Sequence, residues 1–590
     1  MTRYYIGLSV TYHDPALAIV DSDGHVVFAE ASERYLQHKR ALNCQPDPLI
    51  HIQDILAQYC PDGDDFVIAI NWQRKRPLYE NIIMLLGGLQ APGLLKTGLK
   101  KLRSPLPNYQ LHHMIACQRH HIHAAALNLT RILAEHYPAC RIRFHDFPHH
   151  LTHAAAACYS SPFSSAACAI IDSFGEKGAM AFYHYNNQTL SPIFESKGPG
   201  SLGFYYMKIT ELCGFNWLKG EEWKVMGLAP YGHLDRALYE LLKSTITLQG
   251  FKCTHSNRHL FRNLEKLTAF RRTPDQSPEQ AANLAYTGQY FFAELMAQLL
   301  QHLQHKTGEK KLVLAGGCAL NSAFNGQIKP RTAFENIFIP SAPADDGTAL
   351  GAAWLALVQD SPTHNPMRIN SDPLTPYLGS SISNTSIEKF CQYQRGLTVQ
   401  YLPDSICEKT AQRLSQGQLI GWIQGRAEFG PRALGNRSIL ADPRSAQMKD
   451  KINQHIKFRE SFRPFAPSVL HEHAEDFFMD YQESPYMDKT LRIKPSRQQS
   501  IAAVCHVDGS ARLQTVKEAW NPKFYHLIQC FYQHTRIPMV LNTSFNIMGK
   551  PLVHTLEDAL AVFMTSGLDA IVINDYLITK PCDENDRPPA

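Results

Sequence analysis

"YYIGLSVTYHDPALAIVDSDGHVVFAEASERY" (residues 4–35) decides the fold. Apolar runs rich in Val, Ile, Leu and aromatics are punctuated by His-Asp-Pro and Ser-Asp-Gly. The stretch therefore reads as strand, turn, strand, turn, strand and then helix. The first two strands and a glycine-containing turn return at "AACAIIDSFGEKGAMAFYHY" (166–185). Two copies of a strand–turn–strand unit predict an internally duplicated α/β domain. Such a turn can grip phosphate with backbone N–H groups if it is short and admits close approach. Taken singly, each copy reads more readily as an ordinary hairpin.

Downstream, "KKLVLAGGCALNSAFNG" (310–326) is a buried strand, a Gly-Gly turn and a helix start, and "IPSAPADDGTALGAAWLAL" (339–357) is a Pro-rich loop entering an Ala-rich helix that Asp346 can cap. The composition breaks at "DSPTHNPMRINSDPLTPYLGSS" (360–381), which has no apolar period. This places one domain at 1–360, a linker at 361–380 and a second domain at 381–590. The second domain opens with the helix "SICEKTAQRLSQGQ" (405–418), continues through the strand "LIGWIQ" into an arginine-rich loop, and ends at "AIVINDYLI" before a frayed tail over 581–590.

With 590 residues, 44% of them hydrophobic and 19% charged, the chain is globular and long enough for more than one core. A net charge of +5 is too mild for a nucleic-acid protein and suits small anionic substrates. The 14 cysteines form no C-x-x-C pair, as expected for reduced thiols in a cytoplasmic protein, and the N-terminus lacks a signal peptide's apolar core. "NIIMLLGGLQAPGLL" (81–95) is too short and too broken by Gly and Pro to span a membrane, and reads as a buried or lid helix.

"HHLTHA" (149–154) follows Pro148 and runs into alanines, so it begins a helix. His149 and His153 stand at i and i+4, on one face and roughly 6 Å apart along the axis, the spacing of a two-histidine metal clamp. His150 and His153 form a competing pair. With 28 histidines in the chain, and further His-His pairs at 112–113 and 120–121, a merely histidine-rich patch is the plain alternative. A third ligand is required, and the "ADD" of 344–346 is the candidate.

"HHLTHAAAACYSSPF", "KVMGLAPYG", "LAGGCALN", "GRAEFGPRALGNRSILADPR", "FRESFRPFAPSV", "HVDGSARLQTV" and "LNTSFNIMGKPLV" occur in this order. Together they resemble the O-carbamoyltransferase family of antibiotic, toxin and nodulation-factor biosynthesis, over nearly the whole chain. The resemblance implies a duplicated actin/Hsp70-like N-terminal domain followed by a YrdC-like α/β C-terminal domain. It implies that the C-terminal domain makes carbamoyladenylate from carbamoyl phosphate and ATP, with Mg(II) accompanying the nucleotide. The N-terminal domain then passes the carbamoyl group to a hydroxyl of a small-molecule acceptor. It further implies a divalent metal, Fe(II), on His149, His153 and Asp345, with Asp346 left as a structural cap. Asp172, Gly175, Glu176, Lys224, Gly227, Gly316, Gly317 and Asn321 are then expected to line the N-terminal nucleotide site.

Carbamate is a poor electrophile and needs an activated leaving group, so the adenylating site must handle several anionic centres at once. Arg426, Arg432 and Arg437 surround a Gly-Pro turn, and Lys457, Arg459 and Arg463 follow; a planar guanidinium fork matches phosphate. Surface ion pairing is the ordinary fate of such charges, but arginines interleaved with Gly, Pro and apolar residues are atypical of a solvated face. Arg512, Asn542 and Ser544 complete the expected carbamoyl phosphate and ATP contacts, with holding the loop in shape as the alternative role for His506 and Asp508. His13, in the turn after the first strand, is the candidate general base, oriented by Asp14, since histidine as a residue type exchanges protons near neutrality; hydrogen bonding confined to the turn is the alternative. A tRNA threonylcarbamoyl-type transferase would want a strong basic face. A sugar kinase leaves the arginine-rich half unexplained, and a non-catalytic nucleotide-binding module leaves the His/Asp and Arg sets idle. Acceptor choice is expected to lie in loops that include residues 74–110.

Overall fold

Residues 4–35 form the expected strands: β1 (Thr2–Ser9), β2 (Ala16–Asp21) and β3 (Val26–Ala31), followed by a single helical turn at Glu33–Leu36. These details come from a computed structural model that describes residues 2–74, 108–198, 200–255, 263, 266–360, 373–460 and 462–581. The apolar stretch at 81–95, most of the acceptor loop expected over 74–110, the first part of the expected linker (361–372) and the tail from 582 lie outside the described residues.

β1 pairs antiparallel with β2, Ile6 opposite Ile19 and Leu8 opposite Leu17, and parallel with β4 (Gly63–Ile70), which pairs parallel with β5 (Arg141–Asp146). The sheet order is β3-β2-β1-β4-β5. The second copy comprises β6 (Ser165–Ile171), β7 (Met180–Asn186), β8 (Thr189–Glu195), β11 (Lys311–Ala315) and β12 (Asn336–Phe338), with the hairpin β9 (Ile246–Gln249) and β10 (Lys252–His255) inserted between. Its order, β12-β11-β6-β7-β8, matches the first sheet strand for strand, with antiparallel and parallel pairings in the same places. The duplication read from sequence is thus a duplication of topology.

The connections place the site. The helix His149–Ser160 follows β5 of the first repeat and packs on the second sheet, whereas Thr348–Asp360, after β12, packs on the first. The two helices cross through small residues. A Cβ on Gly351 would stand 1.9 Å from the Thr152 carbonyl oxygen, and one on Gly7 of β1 would stand 1.8 Å from that of Ala349. The Ala154–Ala157 run, wholly buried, serves the same close approach.

The chain divides into two units. The first comprises Met1–Glu33, Arg40–Leu320 and Ile328–Leu374; the second comprises Arg34–Lys39, Asn321–Gln327 and Thr375–Ala590. The second unit gathers structure earlier than the composition break suggests, because Tyr377–Ser381 is a strand, β13, antiparallel to β16 (Arg426–Glu428). Its large sheet has the order β14-β23-β22-β15-β17-β21-β18-β20-β19. These strands are β14 (Thr398–Tyr401), β15 (Ile420–Ile423), β17 (Arg437–Ala441), β18 (Ala466–Leu470), β19 (Lys489–Arg492), β20 (Ser510–Val516), β21 (Met539–Ser544), β22 (Ala570–Ile573) and β23 (Tyr576–Thr579). Alternation sorts their side chains. Ile423, Ile439, Ile571 and Ile573 enter one core, and Trp422, Leu440, Ala570 and Val572 enter another with the helix Pro522–Thr535. The protein is mixed α/β, and no helix among the described residues is long and apolar enough to cross a membrane.

The helix crossing predicts that Gly351→Ala destabilises the protein by about 1–3 kcal/mol through overpacking, read as a lower urea midpoint at unchanged slope. An unchanged midpoint would show that the crossing has slack.

Candidate functional site

Helix His149–Ser160 begins one residue after Pro148, and its first N–H is held by a carboxylate from the second repeat: Glu176 accepts from His149 N at 3.0 and 3.1 Å, and from Gln73 N at 3.3 Å. Glu176 therefore acts here as the clamp on this helix end, favourable for an anion. One turn in, His149 and His153 point their Nε2 atoms at each other, 3.2 Å apart. Asp172, directly after β6, lies 3.4 Å from His149 and 3.9 Å from His153. Asp345, in the turn before the second crossing helix, lies 3.5 and 3.4 Å from the same nitrogens. One donor atom from each of the four residues lies within 4.8 Å of all the others, and all four residues are buried.

Two ligands at about 2.1 Å from one ion are themselves roughly 3–3.5 Å apart, so these separations suit a shared centre. The imidazole and carboxylate set suits divalent iron, zinc or manganese. The local field asks for a cation as well. Burial opposes charging His149, yet hydrogen bonds to Asp172 and Asp345 raise its pKa to about 10. Burial likewise works against the Asp345 carboxylate, but His13, His149 and His153 hold it well below the usual range, and Asp172 is lowered too. Asp346 stands outside the cluster: its Oδ1 takes the Gly347 N–H at 3.0 Å, and burial beside Asp14 and Glu33 pushes its pKa up to about 8. Asn71 (Nδ2 3.4 Å from His149 Nδ1) and Trp72 (ring 4.9 Å from that of His149) back the helix end.

His13 lies at the rim, with Nδ1 2.9 Å from Asp14 Oδ2 and 3.4 Å from Asp345 Oδ2. Asp14 adopts a left-handed φ of 56° and is tied to Arg40 by its N–H (2.8 Å to Arg40 O) and by its carboxylate (3.2 and 3.1 Å from Nε and Nη2). Glu222, raised by burial despite Arg40, stands near the same group. Arg40 and Glu222 were not singled out from the sequence, because nothing local in "HKRAL" or "GEEWK" links them to the first turn.

The other residues expected at the N-terminal nucleotide site are spread more widely. Gly317 N donates to Asp172 Oδ1 at 3.0 Å, and Gly316 has φ 88° with its Cα against the Ile171 carbonyl. Gly175 packs on the His150 ring. Lys224 pairs with Glu221 at 2.8 Å and lies over Phe215, and Gly227 is buried in the same short helix. Asn321 belongs to the second unit and caps its own helix through Phe324 N.

In the second unit five cations crowd together. Burial, followed by the neighbouring Arg432 and Arg459, depresses Arg512 well below its ordinary value; Lys457 is depressed likewise, with Arg459 and Arg463 beside it. Arg459 falls to about 9 and Arg432 to about 10, burial leading in both. Lys457 Nζ donates to Asn546 Oδ1 at 2.7 Å and to Ser544 Oγ at 3.3 Å, which brings Ser544 into the group. Arg426 and Arg437 are used differently. Arg426 donates to the carbonyls of Gly379 and Leu378, and Arg437 to those of Gln424, Asn436, Ser380 and Gly425. Glu428 shapes the intervening loop by accepting the N–H groups of Leu434, Asn436 and Arg437 on one oxygen. Asp508 caps Ser510 and pairs with His506, holding that loop.

A model of the carbamoyltransferase N-terminus matches residues 93–354, and one of the carbamoyltransferase C-terminus matches 411–580. An uncharacterised protein of Synechocystis is 31% identical over 98% of this chain and 97% of its own. The nodulation protein NolO of Bradyrhizobium diazoefficiens is 36% identical over 73% of this chain and 78% of its own, and NolNO of Sinorhizobium fredii 36% over 77% and 67%. A phosphate- and nucleotide-bound HypF structure is similar at 10% identity and a TM-score of 0.35, covering 61% of this chain and 56% of that one, too distant to add to the sheet order above. One family's N-terminal and C-terminal models match in order along the chain, and relatives 36% identical cover about three quarters of it, so the protein belongs to the carbamoyltransferase family and is a transferase enzyme.

Proposed function

We propose that this enzyme is an ATP-dependent O-carbamoyltransferase working in two half-reactions. What carries the reading is that each unit buries one unbalanced charge set: acids and imidazoles in the first, cations in the second. In the second unit carbamoyl phosphate and water give carbamate and phosphate; carbamate and ATP, with Mg(II), give carbamoyladenylate and pyrophosphate. Arg432, Lys457, Arg459, Arg463 and Arg512 hold these anions, and their mutual repulsion is relieved when phosphate arrives. In the first unit an acceptor hydroxyl attacks the carbamoyl carbon, AMP leaves, and the hydroxyl proton goes to His13. Asp14, fixed by Arg40, takes the Nδ1 proton of His13 in a hydrogen bond and leaves Nε2 as the base.

His149, His153, Asp172 and Asp345 would hold a divalent ion, for which we favour Fe(II). Such an ion supplies Lewis-acid polarisation of the carbamoyl group and neutralises its developing charge. The acceptor is a hydroxylated small molecule, a class suggested by the nodulation relatives.

Three measurements test the scheme. His149→Ala is expected to lower bound metal in elemental analysis and abolish transfer, while pyrophosphate release driven by carbamoyl phosphate persists; full metal content in the variant would exclude the cluster as its site. His13→Asn keeps a hydrogen-bonding side chain but cannot take the proton, so transfer should fall about 10²–10⁴-fold with adenylate formation nearly intact. Transfer within a few-fold of wild type across the pH range would remove His13 as the base. Arg463→Ala should slow pyrophosphate release roughly 10- to 150-fold, the loss of about 1.5–3 kcal/mol in a charged contact. Normal release with only transfer lost would reverse the assignment of the two half-reactions.

A further inference from the structure

Behind the cations of the second unit runs a hydrogen-bond chain with a fixed direction. Gln514 Nε2 donates to the Leu434 carbonyl at 2.8 Å, which leaves Gln514 Oε1 as an acceptor. Ser468 Oγ donates to that Oε1 at 2.6 Å. A hydroxyl has one proton, so Ser468 can then only accept from its other neighbour, the Asn542 amide at 2.9 Å. The Asn542 atom facing it must be nitrogen. The same Nδ2 meets two further acceptors, Gln514 Oε1 and the Ala433 carbonyl, both at 3.2 Å. The orientation of the Asn542 amide is therefore not arbitrary: its neighbours admit one.

The consequence falls on the other end of the amide. Asn542 is 1% exposed, and its Oδ1 is buried without a hydrogen-bond partner. A buried acceptor left unpaired is costly until a donor reaches it. Its surroundings are those of the anion site. Asn542 and Ser544 alternate on β21, Arg512 and Gln514 alternate on β20, and Lys457 Nζ reaches Ser544. Arg432 is adjacent in sequence to Ala433, whose carbonyl holds the amide nitrogen.

Resting on the reading that this unit binds carbamoyl phosphate, we propose that Ser468 and Gln514 are positioning residues that set substrate specificity. They hold Asn542 with its oxygen toward the acyl group, so that the site takes an acyl phosphate bearing N–H donors and rejects the methyl isostere. Carbamoyl and acetyl phosphate have nearly the same shape, so sterics alone cannot separate them; a site built for an N–H donor, left unpaired by a methyl, can.

The test uses the full-length enzyme, ATP and either carbamoyl or acetyl phosphate, and reads the ratio of the two kcat/KM values for pyrophosphate release. The wild type should favour carbamoyl phosphate strongly. Gln514→Met removes one acceptor of the amide nitrogen and releases the Ser468 proton to face the amide oxygen, so it should lower the ratio roughly tenfold, the worth of one good hydrogen bond; Ser468→Ala leaves the Gln514 and Ala433 acceptors in place and should lower the ratio less. Ser468→Thr retains the hydroxyl and should preserve the ratio. Parallel losses with both substrates at constant ratio would reduce the chain to a structural role and overturn the proposal, as would a wild type indifferent between the two. A wild type that releases no pyrophosphate with carbamoyl phosphate would instead bring down the underlying reading of the unit, and this proposal with it.

Discussion

Two imidazoles and two carboxylates share a buried space no more than 4.8 Å across, and much of the first unit can be understood as what this demands. A carboxylate removed from water must be compensated at close range. Asp172 and Asp345 arrive from the ends of different strands and meet His149 and His153 from a helix in the other repeat. Each element is then fixed by something that cannot give: Glu176 on the helix end, Trp72 and Asn71 behind His149, and the glycine contacts that let the two central helices cross.

The second unit solves the opposite problem. Its cations lower one another, and some of the compensation comes from neutral groups: Lys457 is surrounded by oxygens of Ser544 and Asn546. Neutral dipoles orient a charge without cancelling it. A full complement of carboxylates would cancel it instead.

What the sequence revealed was local. Alternating apolar runs with Gly, Pro and Asp turns gave the strands of both repeats, because period and punctuation act within a few residues. The His149–His153 face is a matter of helix pitch, and the "DDG" turn offered its aspartate in the same way. Asp172 was legible as a turn residue but not as a partner of those histidines, since that depends on where β6 ends relative to a helix from the other repeat. Arg426 and Arg437 look from the sequence like Arg432, yet they donate to carbonyls around β13, a strand hidden in a Pro-rich stretch without apolar period. Ser468 and Gln514 carry no signal at all, because their meaning lies in a neighbouring strand.

The matching sheet orders mean that the turn after β1 and the turn after β6 are the same turn used twice. One now carries His13 and Asp14, the other Asp172 and Glu176, and both border the same cluster. Two identical polypeptides meeting about an axis would be forced to present the same residues from both sides. Joining the copies in one chain releases them from that symmetry, so one loop can set an imidazole beside the cluster while its twin contributes a carboxylate to it.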